Sequence, residues 1–126
     1  MRVFKTKWFT RFARKESISD ETLAEAVERA EIGLIDADLG GGVIKQRVAR
    51  QGRGRSGGFR TLLAYRSGGV AVFLYGFAKN ERENIEDGEL AVLKEIADGW
   101  LAAEAADWNR QVRDGLATEI DYEARY

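Results

Sequence analysis

The sequence predicts an α+β domain: two N-terminal helices, an antiparallel sheet of four or five strands, and a C-terminal helix laid across one face of that sheet. Three observations carry this prediction. Apolar spacing switches from a period of about 3.6 to a period of 2 near Gly40, and returns to 3.6 near Asp87. Between those points, three alternating segments are joined by short glycine-bearing connections, and only antiparallel neighbours can be joined so tightly. The 126 residues amount to one domain, long enough to bury a core and too short for two cooperating ones.

Taken in order, VFKT (3–6) reads as a short strand, and Trp8, Phe9 and Phe12 then recur at helical spacing in a short basic helix, as core residues. Ser19, followed by Asp20 and Glu21, is an N-cap with acids in the first turn. Leu23, Ala26, Val27 and Ala30 give that second helix an apolar face up to about Gly33, with Glu21, Glu25, Glu28 and Glu31 turned to solvent. After the LGGG turn (39–42), VIKQRVAR (43–50) alternates: Val43, Lys45, Arg47 and Ala49 share one face, Ile44, Gln46 and Val48 the other. QGRGRSGG (51–58) reads as a basic loop, FRTLLAYR (59–66) as the next strand, SGG (67–69) as a hairpin turn, and VAVFLYGF (70–77) as a central strand, apolar on both faces. Asp87 then caps a helix carrying Leu90, Leu93, Ile96, Ala97, Trp100 and Leu101. From Asp107 the periodicity weakens, so residues 1–106 are set apart as the domain and 107–126 as an acidic extension. Its ATEIDYEA either adds a short strand or stays a loose tail.

Composition narrows the chemistry. The chain has no Cys and no His, which removes disulfides, thiol catalysis, serine triads, ordinary zinc sites and histidine-pair ribonucleases. The start, MRVFKTKWF, has neither an apolar core nor a small-residue cleavage site, so a cytoplasmic product is expected. The net charge of −1 conceals four blocks: residues 1–15 carry +6, 16–44 carry −7, 45–82 carry +8 and 83–126 carry −8. A local +8 sets a local potential whatever the total, and its natural partner is a polyanion.

Within that block, Lys45 and Arg47 share a strand face, Arg60 begins the next strand, and Lys79 and Arg82 follow the third. Arg50, Arg53, Arg55 and Arg66 extend the set, and Tyr65 and Tyr75 are proton carriers or base-stacking groups on the same sheet. Guanidinium forks and ammonium point charges grip phosphodiesters. Metal-independent RNA cleavage needs the 2′-OH deprotonated, the phosphorane stabilised and the 5′-oxygen protonated. Arg60 and Arg47 suit the second task; Lys45, Lys79, Tyr65, Tyr75, Glu83 and Glu86 are the candidates for the others. A metal nuclease built on Asp36 and Asp38 would rest on two acids in a turn-like segment. No cofactor is expected.

The run KQRVARQGRGRSGGFR (45–60), followed by G-x-x-KNE within YGFAKNE (75–81), resembles the HigB-type branch of the RelE/ParE superfamily of toxin–antitoxin toxins, over roughly residues 3–102. The resemblance implies a RelE-like fold and a ribosome-dependent mRNA interferase, an endoribonuclease that inhibits translation and is made with a cognate antitoxin. It puts the family's strand pair on Lys45 and Arg47, its GG-x-R arginine on Arg60 and its basic residue after the last strand on Lys79. The Tyr or His that many of these nucleases place next has no counterpart in ENIED (83–87). Two other readings stay open: a non-catalytic nucleic-acid or partner-binding module, and a ParE-like inhibitor of gyrase.

Overall fold

A computed structural model describes residues 1–50 and 54–122, with the backbone alone over 54–57. The elements run β1 (Arg2–Thr6), α1 (Lys7–Lys15), α2 (Asp20–Glu31), β2 (Ala37–Gly40), β3 (Val43–Arg50), β4 (Gly54–Arg66), β5 (Val70–Ala78), α3 (Asp87–Ala102), α4 (Ala105–Arg113) and β6 (Ala117–Ile120). The α+β class and the β3–β4–β5 antiparallel meander are as the periodicity predicts.

The sheet has six strands in the order β2-β3-β4-β5-β1-β6, and it is mixed. β1 lies parallel to β5, with Arg2 opposite Val70 and Lys5 opposite Phe73, and antiparallel to β6. Pairing the first strand beside the fifth is a long-range choice that local periodicity does not encode. β2 was missed because its four residues, flanked by glycines and acids, are half-exposed edge strand rather than alternating core. β4 starts at Gly54, inside the stretch read as a loop.

The segment from residue 107, set apart as an extension, carries most of α4 and the edge strand β6. Trp108 is buried against Phe4, with ring centroids 5.8 Å apart, and its indole N–H donates to the Trp100 carbonyl at 3.1 Å. Ile120, also buried, lies opposite Val3. The strand outcome for ATEIDYEA is therefore the one realised at 117–120. A weak helical period hid α4 because Trp108 is the one buried residue of that helix.

Two cores sandwich the sheet. On one face α1 and α2 bury Phe9, Leu23, Val27, Ile44, Val48, Phe59, Leu63 and Phe73; on the other α3 and α4 bury Phe4, Val43, Leu62, Val72, Leu93, Ala97 and Trp108. Ser19 caps α2 as predicted, its hydroxyl accepting from the Thr22 amide at 3.2 Å. The first residue of α3 is Asp87, but its cap is Glu86, which forms a reciprocal capping box with Glu89. Gln46, wholly buried, ties three segments together. Its side chain donates to the Ala26 and Leu34 carbonyls at 2.9 and 3.2 Å and accepts from the Asp36 amide at 2.8 Å.

Gly76 fixes the path of α1. β1 ends its pairing with β5 at Phe73, and α1 then crosses the vacated edge so closely that a Cβ on Gly76 would lie 2.7 Å from the Phe12 ring. That approach brings the start of α1 to the end of β5.

Candidate functional site

Strand register assembles the cationic face. Arg47 on β3 lies directly opposite Arg60 on β4, and Arg60 opposite Phe77 on β5; one step along, Lys45, Leu62 and Tyr75 form the next row. Residues two apart share a face, so Arg47, Arg60, Lys45, Tyr75 and Phe77 all point to the α3 side. Helix α3 covers the opposite end of these strands, around Val43, Ala64 and Val72, and leaves the arginine end open.

Gly58 makes this register possible. A Cβ there would sit 2.2 Å from the Val48 carbonyl oxygen and 2.7 Å from the Arg50 amide nitrogen, both backbone atoms. The irregular pairing between Val48 and Arg50 closes on it. The GG-x-R spacing thus has a packing cause: Gly58 admits the neighbouring strand, and Arg60, two residues on, faces Arg47.

Two like charges directly opposite each other in a sheet destabilise it. Asp36 offsets part of that cost. Its carboxylate accepts from the Arg47 amide at 2.6 Å and lies 3.7 Å from both the Arg47 Nε and the Arg29 guanidinium. Arg29, buried, also donates to the Arg47 carbonyl at 2.5 Å and to Glu25 at 2.8 Å. Desolvation, and then the neighbouring Arg47 charge, lower the Arg60 pKa, while Asp36 opposes the shift. Neither Arg29 nor Asp36 was singled out as part of this cluster from sequence; Asp36 entered only as a metal candidate, and here its carboxylate is taken up by arginines.

On the other side of the face, Arg82 donates to Glu89 at 2.5 and 3.2 Å, to the Asn84 carbonyl at 3.1 Å and to the Tyr75 hydroxyl at 3.3 Å. Its guanidinium also lies 5.4 Å from the Phe77 ring centroid. The hydrogen bond with Glu89 raises the Arg82 pKa and lowers that of Glu89. Arg82 is thus committed to a brace that orients Tyr75 and the start of α3. Lys45 reaches the Asn84 side chain at 3.4 Å. Lys79 is exposed just past β5, its amide donating to the Gly58 carbonyl at 3.2 Å, which sets it one row beyond Arg60.

A family model described as RelE toxin of RelE / RelB toxin-antitoxin system matches residues 1–120. The chain belongs to the RelE toxin family. Comparison with curated proteins returns no match. The match runs through α4 and β6, so in this RelE-family chain the final helix and edge strand lie within the family region, not beyond it. No helix among the described residues is long and apolar enough to cross a membrane.

Three of the sequence candidates do not join the cluster in the described structure. Tyr65 stands on the α2 face, where its hydroxyl donates to Glu31; burial first, and this bond second, push its pKa up to about 12. Its offset of five from Arg60 puts it on the opposite side of β4, a parity the sequence already contained. Arg66 shares the parity of Arg60 but lies six residues along, roughly 20 Å at strand rise, and donates to the Leu101 carbonyl at the end of α3 at 2.5 Å. Arg50 turns to the other face, its guanidinium 5.5 Å from the Phe59 ring centroid. The Arg53 position lies outside the described residues, and for Arg55 the backbone alone is described. Trp8, read as core, is instead 40% exposed and packs on Tyr75 with ring centroids 4.6 Å apart.

Proposed function

We propose that this RelE-family toxin is a HigB-type mRNA endonuclease that cuts translated messages on the ribosome, with an antitoxin that covers the cationic face when the toxin is held silent. The observation that carries the proposal is the Arg47–Arg60 pair, opposed across β3 and β4 on the open end of the sheet. A fold tuned for stability alone gains nothing from two arginines set face to face, whereas a phosphorane gaining negative charge is stabilised by both.

In the proposed step the 2′-oxygen of one nucleotide attacks the adjacent phosphorus. The bond from phosphorus to the 5′-oxygen breaks, leaving a 2′,3′-cyclic phosphate and a 5′-hydroxyl. Arg60, held in a partly desolvated position, supports the equatorial oxygens together with Arg47. Lys45 and Lys79 flank the pair and are the groups assigned to proton transfer, one from the 2′-OH and one to the leaving oxygen. Tyr75, oriented by Arg82, is assigned to the flanking base. Cleavage of this kind is cytoplasmic and needs no cofactor.

The test is primer extension on cellular mRNA after brief induction. Cuts at codon-related positions that appear only in translated frames support the proposal. Growth arrest with intact messages contradicts it, and gyrase-linked DNA breaks would assign the chain to a different target.

A further inference from the structure

The N-terminal block of +6 takes no part in the site described above, although α1 carries much of it on one surface. Lys7, Arg11, Arg14 and Lys15 are all exposed, and at 100° per residue they fall within an arc of about 100°. Among the described residues none of the four forms an ion pair. Arg14 and Lys15 complement the helix C-terminus, but Lys7 and Arg11 are too early in the helix for that role. Trp8 borders this arc on the side toward the sheet. Its ring stacks on Phe12 at 5.3 Å with an interplanar angle of 15° and meets the Tyr75 ring at 4.6 Å, tilted by 33°, while 40% of the residue stays open to solvent.

A tryptophan left this exposed between the cations of α1 and the Arg60 face has no packing explanation that burial would not serve better. We propose that α1 continues the RNA track: Trp8 stacks an unpaired base of the single-stranded message beside the cut, and Arg11 and Lys15 hold the phosphates that follow. This rests on the endonuclease reading and adds a binding subsite to it. The occupant is argued from charge and continuity. Four cations without an ion pair among the described residues match a phosphodiester chain, an exposed indole matches a base that is not in a duplex, and Trp8 touches the Tyr75 ring that lies one row from Arg60.

The probe is a hexaribonucleotide carrying 2′-O-methyl groups throughout, which blocks attack and therefore cleavage. Binding is expected to quench tryptophan fluorescence in the full-length protein. Trp8→Phe, which keeps an aromatic ring, should abolish the quench and largely keep affinity, whereas Trp8→Ala should weaken binding at least about fivefold, the lower range for losing one base–aromatic stack. Arg11→Gln combined with Lys15→Gln should reduce the slope of log affinity against log salt by roughly 1.4, the single-strand value for two contacts. On a cleavable message, Trp8→Ala should raise KM by a similar factor while kcat stays within about twofold of the parent.

Equal affinity of the Trp8→Ala and parent proteins for the hexamer overturns the inference. So does an undiminished quench in Trp8→Phe, or equally tight binding of a duplex RNA of the same length, which offers phosphates but no free base. The outcomes also separate the two proposals. Cleavage that Arg60→Ala abolishes but Trp8→Ala leaves at the parent KM removes the subsite and keeps the enzyme. Binding that depends on Trp8 without any cleavage by the parent removes the enzyme and keeps the subsite.

Discussion

Replacing Gln46 with leucine tests whether the buried amide that ties α2, the 34–36 segment and β3 together holds the site in place. The side chain is wholly buried and makes three hydrogen bonds, to Ala26, Leu34 and Asp36. Leucine fills nearly the same volume, so the dominant effect is the loss of partners for the Leu34 carbonyl and the Asp36 amide. The Ala26 carbonyl keeps its place in α2. Leu34 is exposed, so water can reach the freed groups there, and the cost is that of three lost hydrogen bonds at about 0.5–1.5 kcal/mol each; the gain from a buried leucine returns part of it, leaving a net loss of roughly 1–3 kcal/mol. For a domain of this length that corresponds to a fall in Tm of roughly 4–12 °C. Urea unfolding followed by circular dichroism should show a lower midpoint at unchanged slope. Thr61→Val is the graded comparison: it removes one buried bond, from the Thr61 hydroxyl to the Gln46 carbonyl at 2.9 Å, and should cost only about 1 kcal/mol. Because Asp36 contacts Arg47, Gln46→Leu should also reduce RNA cleavage more than Thr61→Val does. A Gln46→Leu protein within about 0.5 kcal/mol of the parent would refute the reasoning, since the three bonds would then hold nothing in place.

Gly58→Ala should destabilise the protein by roughly 1–3 kcal/mol, because the added Cβ meets the Val48 carbonyl at 2.2 Å and backbone has to move; unchanged stability by urea unfolding would contradict the packing account of GG-x-R. Tyr65 should ionise near pH 12 in an absorbance titration at 295 nm, and Tyr65→Phe should remove that phase. Its raised pKa means a stabilising contribution that is complete below the ordinary phenol range near 10 and is lost as pH climbs toward 12. Glu89 has the opposite sign. Its carboxyl is held below 4.5 chiefly by Arg82, so the contribution is complete above that pH and disappears as acid protonates the folded form. Arg82→Gln should therefore be less stable than the parent near pH 7, with the difference shrinking toward about pH 2; a difference that does not depend on pH would show that the pair is not its source.

What was legible in the sequence follows from how local each signal is. Ser19 and the Leu23–Ala30 spacing specify α2 within twelve residues, and the alternation of Val43 to Arg50 gives both faces of β3 without any knowledge of its neighbours. Arg47 opposite Arg60 was within reach too, because a short connection between two antiparallel strands limits their register. The parallel β1–β5 pair was not, since it joins residues 68 apart and no local pattern selects it. The same holds for Tyr75. Nothing along VAVFLYGF says which face it takes, and the irregularity between Leu62 and Leu63 shifts the phase of β5 against β4 midway. Asp36 and Arg29 were hidden for a related reason: their roles appear only when Gln46 pulls the 34–36 segment against α2 and β3. Trp8 carried a helical period suited to a core, and its exposure is decided by Gly76 and by where the pairing of β1 with β5 stops, both set by β5, which is distant in sequence.

The most direct test of the central claim is single-turnover cleavage of a defined message on programmed ribosomes by the parent, Arg60→Ala and Arg60→Lys proteins, each shown to be folded. The account predicts a fall of roughly a hundredfold or more in the cleavage rate for Arg60→Ala, with ribosome binding close to the parent because Arg47, Lys45 and Lys79 remain. Arg60→Lys should recover only part of the rate, since an ammonium cannot donate two parallel hydrogen bonds to one phosphate. Cleavage by Arg60→Ala at the parent rate, or a loss that lies wholly in binding, would contradict it and reduce the paired arginines to a docking surface.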